Sequence, residues 1–154
     1  MSAKPRYTGS RPGTQGKKQR MSEAIQSPYQ QLGGDESVVQ LVEQFYRRMD
    51  TLPEAATIRG LHAADLAPMV DKLSVFLIGW MGGPENYVRR FGRVVIPAAH
   101  EPFPIGPDER DQWLPCMRRA LRDVEAEPDL AGALMEGFRR MAEMCRTDEA
   151  ARHG

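Results

Sequence analysis

Apolar residues recur at three- and four-residue spacings in four blocks of this chain, and short Gly- and Pro-rich stretches separate the blocks. From Glu36 to Met49, the residues Val38, Val39, Leu41, Val42, Phe45, Tyr46 and Met49 follow helical spacing, with Val39, Val42, Tyr46 and Met49 on one stripe. Two glycines, Gly33 and Gly34, turn the chain ahead of this block, and Asp35 or Ser37 can cap it. Leu52-Pro53 through Ile58 reads as a short helix started by proline, and 59–64 as a loop holding His62. A second long helix begins near Asp65, with Leu66, Met69, Val70, Leu73, Phe76, Leu77, Trp80 and Met81 inward, and Gly82-Gly83-Pro84 ends it.

Tyr87, Val88 and Phe91 suggest a further short helix. Pro107-Asp108-Glu109 then starts a long one, with Pro first and acids in the first turn. Trp113, Met117, Ala120, Leu121 and Val124 are its inner residues, and Pro115, lacking an amide donor, predicts a bend. A last helix runs from Asp129 to about Arg146, burying Leu130, Leu134, Phe138, Met141 and Cys145. No stretch alternates with the period of two that a half-buried strand requires. The pattern predicts an all-α domain, and its short proline loops favour an irregular helical packing over an up-down bundle.

Charge changes the picture at one end only. The chain has 21 basic and 21 acidic residues, but its first twenty residues carry six Lys or Arg and no acid. The other 134 residues hold 15 basic and 21 acidic groups, a net of −6, which argues against a folded nucleic-acid-binding face. Residues 1–28 lack periodicity and are expected to form a disordered basic arm. A domain over 29–146 and a tail over 147–154 complete the expected layout. Two cysteines, Cys116 and Cys145, make no disulfide framework and read as buried thiols. No apolar run is long enough to span a bilayer, and the basic amino terminus lacks the apolar segment of a secretory signal. These features point to the cytoplasm.

Candidate chemistry centres on the run from Arg93 to Gly106, where His100 lies between apolar residues and a turn built around Pro102 and Pro104. One histidine falls short of a protein metal site, so two readings stand. His100 is a core residue bonded to a carbonyl, or the one protein ligand to a metal held by a larger cofactor. Tyr46 poses a similar choice. Its inward hydroxyl requires a partner, either a backbone carbonyl or a bound ligand. No P-loop, dinucleotide fingerprint, metalloprotease helix or zinc-spaced cysteine pair is present.

Taken together, Leu32-Gly33-Gly34, Phe45-Tyr46 and Gly82-Gly83-Pro84 resemble the truncated haemoglobins. His100-Glu101-Pro102-Phe103-Pro104-Ile105-Gly106, followed by Glu109-Arg110-Asp111-Gln112-Trp113 and Cys116-Met117, resembles their second group specifically. The resemblance covers roughly residues 29–146. It implies a two-over-two helical globin fold binding haem b, with His100 as the proximal ligand to iron. Tyr46 matches the distal tyrosine, and Trp113 the tryptophan whose indole nitrogen can donate to a ligand. His62 falls at a variable polar position between the early helices. Val75, Phe76 and Gly79 would face the porphyrin from the distal helix. The stretch from Gly92 to Ala99 lacks the arginines expected beside the haem propionates, leaving Arg89, Arg90, Arg93 or Tyr87 as substitutes.

The function so implied is binding of dioxygen and other diatomic ligands, with nitric-oxide and dioxygen redox chemistry as an extension. That extension would need an unidentified reductase, because no flavin or nicotinamide domain is evident, and whether the chain is an enzyme stays open. The chain would act as a monomer or weak homodimer, without nucleic acid or membrane. The alternative is a non-haem globin-fold interaction or sensor protein, its pocket filled by its own methionines and aromatics. Nucleic-acid binding through the basic arm is a third reading, marked by steep salt dependence.

Overall fold

The computed structural model describes residues 26–148. The expected disordered arm lies almost wholly outside these residues, as does His153. Helix α1 (Pro28–Leu32) starts at a capping box between Ser27 and Gln30. Helix α2 (Asp35–Thr51) follows the glycine pair, with Asp35 and Glu36 favourably placed in its first turn. A single 3-10 turn (Pro53–Ala55) leads into α3 (Ala56–Gly60). Helix α4 (Ala67–Trp80) ends at the glycine turn, where Gly82 has φ 96° and a Cβ would meet Ser27 at 2.7 Å. Two short helices follow, α5 (Tyr87–Phe91) and α6 (Ile96–His100). Two long ones close the described chain, α7 (Pro107–Asp123) and α8 (Pro128–Met144).

Helix α2 is the centre of the packing. It lies against α4 on one side and α7 on the other, and α8 packs on α7. Two pairs of helices therefore cross, in a two-over-two arrangement, and the described residues contain no strand. The core is made by Val38, Leu41, Val42, Phe45 and Met49 of α2, Met117, Ala120 and Leu121 of α7, and Leu134 and Phe138 of α8. Val38, not Val39, carries the buried stripe of α2, since it stands three residues before Leu41 and seven before Phe45. At the far end of α2 and α7, Arg48 holds Asp123 through two guanidinium nitrogens, at 2.8 and 2.5 Å. Helix α7 runs unbroken through Pro115.

Helix α6 was not legible as a helix from the sequence. It has five residues, too few to show a period, and Pro97 sits at a first-turn position where a missing amide costs nothing. It has no extended face packed on another helix, and Ile96 is its contact with the core. Cys145 is half-buried rather than fully buried, because it lies just past the end of α8. No helix among the described residues is long and apolar enough to cross a membrane.

Candidate functional site

Helix α4 has two apolar faces, which differ in how far the protein covers them. Ser74 and Leu77 are buried, as is Met81 just beyond the helix end. About 100° around the helix, Met69, Leu73 and Phe76 form a second stripe at the i, i+4, i+7 spacing, touching the core but only partly covered. Aromatic contacts carry this stripe into α5. Phe76 meets Tyr87 edge-on at 5.7 Å, and Tyr87 meets Phe91 at 5.1 Å. Phe91 is 37% exposed, Val88 60% and Val95 61%, so these neighbouring short elements present apolar surface that nothing in the described chain covers.

Two sequence-predicted members of this face lie elsewhere on α4. A Cβ built on Gly79 would lie 3.4 Å from Glu85 Cγ and 3.6 Å from its Cα, so the glycine admits the following turn instead of opening a pocket wall. Val75, four residues earlier, shares that flank. Of the three α4 residues expected, Phe76 is on the stripe. Met69 and Leu73 complete it, and their spacing from Phe76 was the signal available in the sequence.

His100 ends α6, and its Nδ1 lies 2.7 Å from the Ile96 carbonyl oxygen. A contact to a carbonyl makes Nδ1 the protonated nitrogen, which leaves the Nε2 lone pair free as an acceptor or metal ligand. His62 has the same arrangement, with Nδ1 2.8 Å from the Ile58 carbonyl oxygen. A groove of about 580 Å³ lies beside His62, lined also by Met49, Asp50 and Arg59. The guanidinium of Arg59 is already engaged there by Asp50 and the carbonyls of Ala63 and Ala64. No group of three or more His, Cys, Asp or Glu among the described residues could hold a metal ion. His100 would therefore coordinate a metal only as one ligand in a set completed by a cofactor.

Tyr46 points from α2 into the protein and is 4% exposed. Burial pushes its phenol well above the usual range, so the group remains an O–H donor at any physiological pH. Its ring lies 5.8 Å from the His62 ring, edge-on, and 5.0 Å from Phe45. Phe45 also contacts Trp113 of α7 at 5.0 Å, and Trp113 meets Phe138 at 5.7 Å. Tyr46, His62 and Trp113 are thus joined through one aromatic cluster, in which Phe45, read from the sequence as part of the Phe45-Tyr46 pair but not as a site residue, is the link to Trp113. Neither the Tyr46 hydroxyl nor the Trp113 indole nitrogen has a hydrogen-bond partner among the described residues. The carbonyl expected in the structural reading of Tyr46 is therefore not found there.

The cations near this face differ in their availability. Arg90 is held by both carboxylate oxygens of Asp71, at 3.1 and 2.6 Å, and lies over the Phe91 ring. Arg89 is bonded to Asn86. Lys72 also stands over the Phe91 ring, 5.7 Å from its centroid, and neither it nor Arg93 has an ion pair among the described residues. The thiols take no part in such chemistry, since burial pushes Cys116 and Cys145 each up to about 11.

Residues 27–147 match the bacterial-like globin family. A group 2 truncated haemoglobin of Bacillus subtilis (strain 168) is 33% identical over 110 residues, which cover 71% of this chain and 80% of that protein. Among solved structures, the group II 2-on-2 haemoglobin from Agrobacterium tumefaciens aligns with a TM-score of 0.76 at 38% identity. That alignment covers 79% of this chain and 95% of the other. The cold-adapted truncated haemoglobin from Pseudoalteromonas haloplanktis TAC125 aligns with a TM-score of 0.78 at 31% identity, covering 80% of this chain and 100% of the other.

Proposed function

The chain belongs to the bacterial-like globin family, among its group II truncated haemoglobins, and from that membership we propose that it binds haem b through His100 and dioxygen on the Tyr46 side. The observation that carries this reading is Tyr46, a residue buried against the core whose hydroxyl has no hydrogen-bond partner among the described residues. A phenol O–H that no protein group accepts from is free to donate to a bound polar ligand. Two further features fit the group. The free Nε2 of His100 suits iron, and the half-covered stripe of Met69, Leu73 and Phe76 suits a flat apolar body.

Haem iron, when bound, supplies a centre that takes one protein nitrogen and one diatomic molecule. The rest of the work falls to side chains. The Ile96 carbonyl fixes the His100 tautomer and ring direction. Tyr46 and Trp113 offer an O–H and an N–H to a polar ligand, and His62 offers Nε2 from the groove side. Met69, Leu73 and Phe76 keep water from this space. Lys72 and Arg93, without an ion pair among the described residues, are the cations left to meet the haem carboxylates, in place of the arginines expected in the stretch from Gly92 to Ala99. Redox chemistry with nitric oxide and dioxygen is part of the same proposal and requires electrons from a separate reductase.

Haem titration tests the proposal, followed by absorption spectra of the ferric, ferrous and carbon-monoxide forms of the native chain and of His100→Ala. Saturable one-to-one uptake with a proximal-histidine spectrum, lost in the variant, is the expected result. No saturable uptake, or a spectrum indifferent to His100→Ala, would overturn it.

A further inference from the structure

The loop after His100 is held at its far side by the segment that follows α8. Pro102 and Pro104 have no amide hydrogens, so the loop has few donors with which to anchor itself. The Phe103 amide donates back to the His100 carbonyl at 3.0 Å. The Ile105 amide donates to Thr147 Oγ1 at 2.8 Å, and the Thr147 amide returns a bond to the Ile105 carbonyl at 2.7 Å. The Thr147 hydroxyl then donates its own proton to the Phe103 carbonyl at 2.5 Å. One threonine therefore makes three bonds to two loop residues, across 42 and 44 positions of sequence.

The placement of Thr147 is itself enforced. Arg146 before it is paired with Glu143, at the end of α8, and with Asp148 after it. Glu143 also pairs with Arg110 of α7, so the clasp is tied to both long helices that close the fold. Helix α6, by contrast, has Ile96 as its core contact and no extended packing of its own. Ile96 fixes one end of the His100 segment, and the loop must fix the other.

We propose that Thr147 is a positioning residue for His100, holding the imidazole through the Phe103–Ile105 loop. The proposal rests on the haem reading above for its functional consequence, but the clasp has a signature of its own. The test compares the full chain with Thr147→Val, which removes the hydroxyl at nearly constant shape, and with Thr147→Ser, which keeps it. In Thr147→Val the Ile105 amide should exchange with solvent about tenfold faster, the ratio expected for losing one hydrogen bond. The haem-loaded ferrous protein should show a shifted or broadened iron–histidine stretching band and several-fold faster haem transfer to an apoglobin acceptor. Thr147→Ser should restore all three.

Unchanged Ile105 exchange in Thr147→Val would overturn the clasp. Faster exchange with an unaltered iron–histidine band and haem transfer would overturn its action on His100. If the native chain takes up no haem, the functional reading fails separately. The clasp is then judged on Ile105 exchange and on the His100 ring resonances, which Thr147→Val must shift for the proposal to stand.

Discussion

The two sides of α4 show what this sequence completes by itself and what it leaves open. On one side, Ser74 and Leu77 join a core with Phe45 and Phe138, whose aromatic rings are 1% and 0% exposed. On the other, Met69, Leu73 and Phe76 stay half-covered, and Val88 and Val95 beyond them are 60% and 61% exposed. Both surfaces are apolar, so composition does not distinguish them. The difference is in partners. The first side meets α2, whereas the second faces short elements that lack an extended packed face of their own. Long, well-packed helices that leave one apolar stripe uncovered fit the proposed haem, a flat apolar body.

Substitutions should separate the two sides. The largest effect is expected from Phe138→Ala in the packed side, a loss of about 3–5 kcal/mol of stability in denaturant unfolding, as for other large core truncations. Next, His100→Ala should abolish proximal-histidine coordination while changing the haem-free stability by no more than about 0.5 kcal/mol, since His100 is only partly buried. Equal destabilisation by both variants would erase the distinction between the sides. Tyr46→Phe should leave the haem-free fold as stable or slightly more so, and speed release of a polar diatomic ligand by about tenfold in stopped-flow measurements.

Smaller effects sharpen the packed side alone. The buried Ser74 hydroxyl has no hydrogen-bond partner among the described residues, so Ser74→Ala should raise stability, by up to about 1 kcal/mol. The bonds from Arg48 hold the Asp123 carboxyl below its ordinary range. A depressed carboxyl contributes stability above its unfolded pKa and loses it as pH falls through the folded value. Asp123→Asn should therefore weaken the fold slightly at neutral pH and flatten the acid limb of a stability-versus-pH curve below about pH 4. A steeper acid limb in the variant would contradict this assignment.

Much of this division can be traced to what sequence patterns carry. The four long helices were legible because each repeats its apolar spacing over several turns. Resemblance to the truncated haemoglobins brought out His100, Tyr46 and Trp113, since a lone histidine and an inward tyrosine are ambiguous by residue type. Helix α6 was hidden by its length and by Pro97. The direction of Gly79 was not legible because a glycine has no side chain to report one, and here its open side meets Glu85. Val75 shares the Gly79 flank of α4, apart from the Met69–Leu73–Phe76 stripe. Thr147 was out of reach, because nothing local announces a bond to Phe103 or Ile105 more than forty residues away.

Backbone hydrogen exchange, compared with and without haem, tests the central claim most directly. The account predicts that haem gives its largest gain in protection to residues 87–106, which carry α5, α6 and the loop beyond. The amides of α2, α7 and α8, already closed by protein, should gain less. An equal gain throughout the chain, or none over 87–106, would contradict the claim that this face is completed by haem.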